Sequence, residues 1–362
     1  MYALQGLQAL QGLTLWVEEM NGAGGLFVPQ LGGHVPLQLR TYDDHSRRAD
    51  VEHLVAQLIT QERVDLLIGP YSSGLTLAAA TVAEDHRKLL WNHGGSSDAI
   101  MQRGFRWLIN LPTPASRYFE GLFRMLTAHA SPGEHVAVVQ RARGRFAAEV
   151  AAGVIQQAQI HGFHPRPLVW YPEVPDQFPQ LAKDLAAVQP AIIVGVGRYS
   201  DDVALARALG ESRVDVKALA LVAAALHAFR EDLGQAAEGC IGPSQWEPSA
   251  RAQPDVGPPS AVFVERFRGR FGRDPDYPSA QAYAAGLMFQ RCVALAGTCA
   301  DAALLDVARG LDCRTFYGRF QLERETGTQV GHEALLVQWQ RAEKRIIWPV
   351  EMAEAAVVYP KP

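Results

Sequence analysis

The chain has 362 residues, of which 48% are hydrophobic and 20% are charged, and its net charge at pH 7 is −4. This length exceeds one ordinary hydrophobic core and predicts about two domains, and the composition is typical of a globular protein. The slightly acidic balance, without runs of Lys or Arg, excludes an electrostatic footprint for nucleic acid or an anionic membrane surface.

Helices and strands alternate along the first third of the chain. Helical spacing of apolar residues and short apolar runs bounded by Gly and Pro distinguish the two kinds of element. The predicted helices are Gly6–Met20, Arg48–Thr60 and Gly74–His86, and the predicted strands are Val35–Tyr42, Val64–Ile68 and Leu89–Trp91. This order predicts a first lobe with a mostly parallel sheet covered by helices on both faces.

A second α/β series follows the rigid connector Leu111–Pro114. Its predicted helices are Ser116–Ala128, Phe146–His161, Phe178–Val188 and Asp201–Gly210, and its strands are Val136–Gln140, Arg166–Trp170, Ala191–Val196 and Val216–Val222. After a Pro-rich loop at 249–260, the pattern predicts helices Ala261–Phe271, Gln281–Ala296 and Ala302–Gly310, then strands Gly318–Leu322, Ala334–Gln340 and Ile346–Trp348. The chain is therefore predicted to be an α/β protein with two similar halves.

Signatures of catalysis and of cofactor binding do not occur in the sequence. It contains no HExxH, GxxxxGK[ST] or GxSxG motif, and Gly195–Ser200 lacks the third glycine of a dinucleotide-binding loop. Four cysteines, which are either buried thiols or include one disulfide, lack metal-binding spacing: Cys240, Cys292, Cys299 and Cys313. We therefore predict no enzyme activity, no catalytic residues, no cofactor and no metal.

The turn after the predicted strand Val64–Ile68 is the most informative segment. Gly69-Pro70 is followed by Tyr71, Ser72 and Ser73 and then directly by a helix. In an open α/β sheet such a turn lies at the carboxyl edge, where ligands bind, and the helix start offers unpaired N–H groups to an anion. The alternative is that one of the serines only caps the helix.

A second turn of the same kind follows the next predicted strand. Residues 92–98 include four small residues before a helix start, namely Gly94, Gly95, Ser96 and Ser97. Small residues allow a ligand to approach the backbone closely. Two adjacent helix starts with serines and glycines favour an anion-binding cleft over two independent caps.

The beginning of the chain has no secretory signal. Residues 1–10 have neither a basic n-region nor an apolar h-region, and the longest apolar run, Ala218–Leu226, is too short to cross a bilayer.

Taken in order, several segments resemble the type I periplasmic binding proteins of the branched-chain amino acid group, which are the solute receptors of ABC transporters. The matching segments are Gly12–Gly25, Tyr42–Asp44, Val64–Ser73, Gln102–Phe105, Tyr317–Phe320 and Gly327. Each is moderately specific alone, but their order and spacing cover nearly the whole chain.

The resemblance implies a periplasmic binding protein-like fold with two Rossmann-like lobes joined by a three-crossover hinge. Lobe one would comprise residues 1–112 and 247–322, lobe two residues 113–246 and 333–362, and the crossovers would lie near 111–114, 242–247 and 321–331. Receptors of this type begin with a strand that pairs centrally in lobe one, and this strand is expected to be missing before Met1–Gly6. The resemblance also implies a periplasmic or extracellular location.

The resemblance also implies a ligand site. A ligand carboxylate would be held at Ser73, Gly95 and Ser96, with Tyr71, Ser72, Gly94 and Ser97 beside them. The matching positions of lobe two are Phe146 or the adjacent Arg145, Arg198 or Tyr199, and Val222. Trp246, near a crossover, would either line the ligand site or pack against the hinge.

The nature of the ligand is inferred from a departure from the family pattern. Amino acid receptors present an acidic residue to the ligand ammonium at the position of Val222, where this chain has Val-Ala-Ala. An unpaired cation in a closed site would be costly, whereas nearby arginines suit carboxylates. We therefore expect an organic or aromatic acid rather than a branched-chain amino acid, unless Glu247 or Asp202 reaches inward.

The expected partners follow from the same resemblance. They are a small carboxylate ligand and the permease subunits of an ABC transporter, and nucleic acid is not among them. The alternatives are a cytoplasmic ligand sensor or regulator of the same fold and, less favoured, an α/β enzyme, because fold alone does not decide function.

Overall fold

The computed structural model describes residues 2–131, 133–166 and 169–362. It contains two compact units: unit 1 is Met1–Pro114 with Gln245–Glu333, and unit 2 is Ala115–Ser244 with Ala334–Pro362. The chain therefore passes from one unit to the other after Pro114, Ser244 and Glu333. The predicted crossovers lay near 111–114, 242–247 and 321–331. The prediction assigned residues 323–332 to neither lobe and Trp246 to lobe two, whereas both lie in unit 1.

The helices follow the predicted order closely. They are α1 (Ala3–Gly22), α2 (Arg48–Thr60), α3 (Ser73–His86), α4 (Asp98–Gln102), α5 (Glu120–Leu126), α6 (Arg145–Ile160), α7 (Phe178–Val188), α8 (Tyr199–Glu211), α9 (His227–Leu233), α10 (Ser260–Phe271), α11 (Tyr277–Ala296) and α12 (Asp301–Gly310). The predicted helix Ser116–Ala128 is wrong in its extent, because a 3₁₀ turn at Ala115–Arg117 precedes the shorter α5.

The strands include several that the sequence did not predict. They are β1 (Leu26–Val28), β2 (Gly33–Val35), β3 (Leu67–Ile68), β4 (Leu90–Asn92), β5 (Leu108–Asn110), β6 (His135–Gln140), β7 (His164–Pro165), β8 (Val169–Trp170), β9 (Ile192–Val196), β10 (Ala218–Leu221), β11 (Ile241–Ser244), β12 (Asp312–Thr315), β13 (Gly318–Gln321), β14 (Leu335–Gln340) and β15 (Glu343–Trp348). Of the predicted strand Arg166–Trp170, residues 167 and 168 lie outside the described residues, as does Met1.

Unit 1 is built on a parallel sheet with strand order β3-β4-β5. Leu67 pairs with Leu90, and Leu90 pairs with Leu108, so the three strands end at the same edge. Helices α2 and α3 cover the sheet through apolar residues such as Val51, Leu75 and Ala79. The loops that follow β3 and β4 therefore emerge side by side at the carboxyl edge.

The predicted strand Val35–Tyr42 is wrong. Regular pairing ends at Val35, where β2 closes an antiparallel hairpin with β1, and residues 36–44 form no strand. The amide and carbonyl of Leu37 are paired with the side chain of Asn21 instead, at 2.7 and 2.9 Å. A side chain therefore satisfies backbone groups that the sequence pattern had assigned to a sheet.

Unit 2 contains a mixed sheet with strand order β15-β14-β11-β10-β9-β6-β7, and β8 pairs with the later part of β6. The pairs β11-β10, β10-β9, β9-β6, β6-β7 and β6-β8 are parallel, whereas the pairs β11-β14 and β14-β15 are antiparallel. Val136 and Val138 of β6 pack into the core on one face, and Ala137 and Val139 pack into the core on the other. This two-residue alternation is that of a strand covered on both faces.

Within the described ranges, no helix combines the length and the apolar character needed to cross a membrane.

Candidate ligand-binding site

The loop after β3 is strained where it enters α3. Ser72 has φ 103° and ψ 148°, a region that only glycine adopts readily and that costs a non-glycine residue about 1–3 kcal/mol. Its hydroxyl oxygen accepts a long hydrogen bond of 3.5 Å from the Leu75 amide. Ser72 is therefore the N-cap of α3, as the capping interpretation predicted, and it fixes Ser73 as the first residue of the helix.

The loop after β4 is organised by the fully buried side chain of Asn92. Its Oδ1 accepts hydrogen bonds from the amides of Gly94 at 3.1 Å and Gly95 at 2.7 Å. Its Nδ2 donates to the Gly95 carbonyl at 2.7 Å and to Asn110 Oδ1 at 2.9 Å. The amide of Gly95, a residue to which the family resemblance assigns a ligand carboxylate, is therefore already engaged by Asn92.

Gly95 has a packing reason that the sequence interpretation missed. A Cβ at this position would lie 2.5 Å from Thr76 Oγ1 and 2.6 Å from Thr76 Cβ. The absence of a side chain therefore lets the second loop lie directly on α3. Close approach of a ligand to this backbone is not needed to explain the glycine.

The two predicted turns meet at Ser73. Its Oγ accepts hydrogen bonds from the amides of Ser96 at 3.2 Å and Ser97 at 3.1 Å. These donors lie beside the first turn of α3, where backbone N–H groups carry the positive end of the helix dipole. Because Oγ accepts both bonds, the Ser73 hydroxyl proton remains available to donate, and the geometry suits a negatively charged oxygen.

The buried side chain of His93 also connects these two loops. Its Nε2 lies 2.9 Å from the Gly69 carbonyl oxygen, which can only accept, so Nε2 carries the proton. Burial lowers the pKa of this imidazole to about 4, although the bond to Gly69 acts in the opposite direction. The His93 side chain is therefore neutral: it holds the two loops together and supplies no positive charge for an anion.

Aromatic side chains lie next to the first loop. The Tyr71 hydroxyl is hydrogen-bonded to the hydroxyl of Tyr277, and the Tyr71 ring centroid lies 6.1 Å from that of Tyr2. Sequence reasoning missed Tyr277, which begins α11 206 residues further along the chain. The only local signal is a helix start, because Asp276 caps α11 and Pro278 follows.

The Trp246 ring lies in the aromatic core of unit 1, where only 1% of the residue is exposed. Its centroid is 5.6 Å from that of Phe263 and 5.7 Å from that of Phe316, and Nε1 is 3.4 Å from Ser260 Oγ. Of the two roles that the sequence leaves open for Trp246, these contacts favour packing over binding of a ligand.

In unit 2, the predicted residues after β6 begin α6. Arg145 is exposed, and the half-buried Phe146 makes an edge-to-face contact with Tyr118 at 5.4 Å between centroids. Arg141, at the end of β6, forms an ion pair with Asp201, with Nε 3.2 Å from Oδ2. Arg141 is therefore already paired with a carboxylate of unit 2.

The next two predicted positions lie at the start of α8. Arg198 is exposed, and its amide donates to Asp201 Oδ2 at 2.9 Å. The hydroxyl of the half-buried Tyr199 donates to Asp232 at 2.5 Å. Burial and then this bond to Asp232 raise the Tyr199 pKa well above its ordinary value, so the phenol stays neutral.

The segment at Val222 forms a 3₁₀ turn, Val222–Ala225, that packs on the sheet. The nearby Asp202 does not present its carboxylate outward: Oδ1 accepts from the Tyr171 hydroxyl at 2.6 Å and Oδ2 from the Ala223 amide at 2.9 Å. Both oxygens are engaged within unit 2. Glu247, the other carboxylate considered from the sequence, is a buried residue of unit 1.

Residues 2–131, 133–166 and 169–362 contain no cluster of three or more His, Cys, Asp or Glu side chains that could hold a metal ion. The four cysteines are free thiols in the structure, and burial raises the pKa of Cys240 and Cys292 to about 12. These thiols are protonated at neutral pH and unreactive.

Comparison with known proteins gives a consistent result. A model of the periplasmic binding protein family matches residues 1–344. The fold is similar to that of the leucine-binding protein LivK from Thermotoga maritima, with a TM-score of 0.78 and 17% identity, covering 94% of this chain and 93% of that one.

Two further structures carry ligands. One is the branched-chain amino acid transporter substrate-binding protein LivJ from Streptococcus pneumoniae in complex with isoleucine (TM-score 0.78, 17% identity, 99% and 96% of the two chains). The other is an ABC transporter solute-binding protein from R. palustris in complex with benzoate (TM-score 0.75, 16% identity, 100% and 94%). At these identities the likenesses establish the fold, and it is the two-lobed fold expected from the sequence.

Proposed function

Because this chain belongs to the periplasmic binding protein family, whose members are solute receptors rather than enzymes, we propose that it is the receptor of an ABC uptake system for a small carboxylate. The observation that carries the ligand class is the meeting of Ser73 with the amides of Ser96 and Ser97. A hydroxyl proton and a helix N-terminus at one point of unit 1 favour a carboxylate oxygen.

Residues of both units are proposed to contact the ligand. Ser73, Ser96 and Tyr71 would supply the contacts of unit 1, and Tyr277 joins them because its hydroxyl bonds to that of Tyr71. Phe146, Tyr199 and Val222, with Arg145 or Arg198 as the cation, would supply those of unit 2. Permease subunits as partners and a periplasmic or extracellular location belong to the same proposal.

We further propose an organic or aromatic acid as the ligand, in preference to an amino acid. The Val222–Ala225 turn has no carboxylate, and both oxygens of Asp202 accept hydrogen bonds inside unit 2. An ammonium group placed at this turn would lose its hydration without gaining an anionic partner. Among proteins of this fold, benzoate and isoleucine are both bound, so the fold accommodates either class.

A thermal-shift and calorimetric titration with benzoate, L-leucine and L-isoleucine tests the proposal. A ligand at 100 times its Kd stabilises the folded state by about 2.7 kcal/mol, which raises the melting temperature by several degrees. We expect benzoate to do so and the amino acids not to do so. Stabilisation by leucine or isoleucine alone would keep the receptor assignment but refute the preference for an acid without an ammonium group.

A further inference from the structure

Asp202 joins the ends of three strands in unit 2. Its buried carboxylate accepts from the Tyr171 hydroxyl at 2.6 Å, from the Ala223 amide at 2.9 Å and from the Gly197 amide. Tyr171 directly follows β8, Gly197 directly follows β9, and Ala223 comes two residues after β10. One side chain thus fixes three separate segments of the carboxyl edge relative to one another.

The neighbouring Asp201 adds a fourth strand to this arrangement. Its Oδ2 accepts from the Arg198 amide at 2.9 Å and lies 3.2 Å from Arg141 Nε, at the end of β6. Asp201 is more accessible than Asp202, with 18% of its side chain exposed, so water can replace part of what it provides. Asp202, with 0% exposure, has no such substitute.

We propose that Asp202 is a positioning residue for the ligand contacts of unit 2: by holding Gly197 and Ala223 on one carboxylate, it sets the placement of Arg198, Tyr199 and Val222 without touching the ligand. The inference rests on the proposed function. The three contact positions are next to, or within two residues of, the amides that Asp202 holds. A shift of either turn would therefore move ligand-contacting side chains directly.

The chemistry of the carboxylate explains why an amide would not replace it. An ionised Asp only accepts hydrogen bonds, and here it accepts from one hydroxyl and two amides. An Asn side chain has a single acceptor oxygen, and its NH₂ group would face at least one of these donors. Asp202→Asn therefore keeps the side-chain volume but cannot keep all three of these hydrogen bonds, which loosens the segments that they hold.

Protonation of Asp202 should weaken the same hydrogen bonds. The pH dependence of ligand affinity therefore reports on this role, because a role in packing alone would not change it. Burial raises the pKa of Asp202 to about 7, although the bonds from Tyr171 and Ala223 act in the opposite direction. The other titratable groups around it are Tyr171 after β8 and Asp201 on α8, which is paired with Arg141 after β6. Affinity for ligand should therefore fall as the pH decreases through this range.

The test compares Asp202→Asn with Asp215→Asn, which changes an exposed carboxylate just before β10. Kd for benzoate and L-leucine is measured by calorimetry at pH 5.5, 7.0 and 8.5. For whichever probe binds the wild type, we expect Asp202→Asn to raise Kd about ten-fold or more at pH 8.5 and to flatten the pH profile. Asp215→Asn should match the wild type. Wild-type affinity or an unchanged pH profile in Asp202→Asn would overturn the inference.

A second measurement needs no ligand and separates this inference from the proposed function. If neither probe binds the wild type, the proposed ligand class fails, and amide hydrogen exchange decides the role of Asp202. We expect about ten-fold faster exchange in Asp202→Asn at residues 197–199 and 221–225, with the rest of unit 2 unchanged. Exchange that stays as in the wild type, or that accelerates throughout unit 2, would refute a positioning role.

Discussion

Replacing Asn92 with Ala should destabilise unit 1 severely and weaken ligand binding. The buried Asn92 side chain makes four hydrogen bonds, two to the Gly95 backbone, one to the Gly94 amide and one to Asn110. Loss of the partner of a buried polar group costs about 1–3 kcal/mol, and three such groups would lose one, namely the Gly95 amide, the Gly95 carbonyl and Asn110 Oδ1. The expected loss in the free energy of unfolding is therefore at least about 3 kcal/mol.

Asn21 provides a matched control within the same unit. Its side chain also bridges backbone groups, accepting from the Leu37 amide and donating to the Leu37 carbonyl, but it is exposed. Water can replace both bonds, so Asn21→Ala should cost less than about 1 kcal/mol. Urea denaturation of both variants, with titration of the ligand identified for the wild type, measures the difference. Equal costs for the two variants, or wild-type affinity in Asn92→Ala, would refute the role assigned to Asn92.

Three further predictions concern individual polar side chains. The pKa of His93, about 4, lies below the ordinary value of 6.5. The neutral His93 side chain therefore contributes fully to stability above pH 6.5, and this contribution is lost as the pH falls toward 4. The difference between the two pKa values corresponds to about 3 kcal/mol in the free energy of unfolding. Unfolding free energies between pH 4 and 7.5 should show this slope in the wild type and not in His93→Gln. Thr113→Val removes a buried hydroxyl that lies 2.6 Å from His332 Nδ1, and it should lower the free energy of unfolding by about 1–3 kcal/mol in urea denaturation. Thr81→Val, on an exposed helix face, should change the same free energy by no more than about 0.5 kcal/mol. Ser73→Ala should raise Kd for the ligand about ten-fold by calorimetry, and Ser200→Ala, at an exposed position, should leave it unchanged.

Much of the fold could be predicted from sequence because its elements have local signals. Helices α2 and α7 begin and end where the apolar periodicity predicts, and strand β6 differs from its prediction by one residue. Errors occur where a partner far along the chain decides the conformation. Asn21 pairs with Leu37 in place of a strand, and β11 lies in a segment that the sequence assigned to a crossover.

The candidate site shows the same division. The two turns of unit 1 could be located because a strand, small residues and a helix start follow each other in the sequence. What holds these turns together could not be located, because Asn92 and His93 have side chains that occur in many loops without such a role. The same is true of Asp202 in unit 2, since an Asp in the first turn of a helix is common. Their importance depends on burial and on partners such as Gly69 and Tyr171, which only the folded chain brings near.

The acid–base behaviour of Asp202 separates a role in positioning from a role in packing. Its folded-state pKa of about 7 lies above the ordinary 3.8, so the folded state loses stability as the pH rises through 7, by up to about 4 kcal/mol. A side chain that lowers stability at neutral pH is not explained by packing, whereas a requirement for three accepted hydrogen bonds explains it. The difference in unfolding free energy between Asp202→Asn and the wild type should therefore be more favourable to the variant at pH 8 than at pH 5. At pH 8 the variant should nevertheless bind ligand more weakly than the wild type. A variant that lost stability and affinity in parallel at every pH would show instead that Asp202 only supports the core.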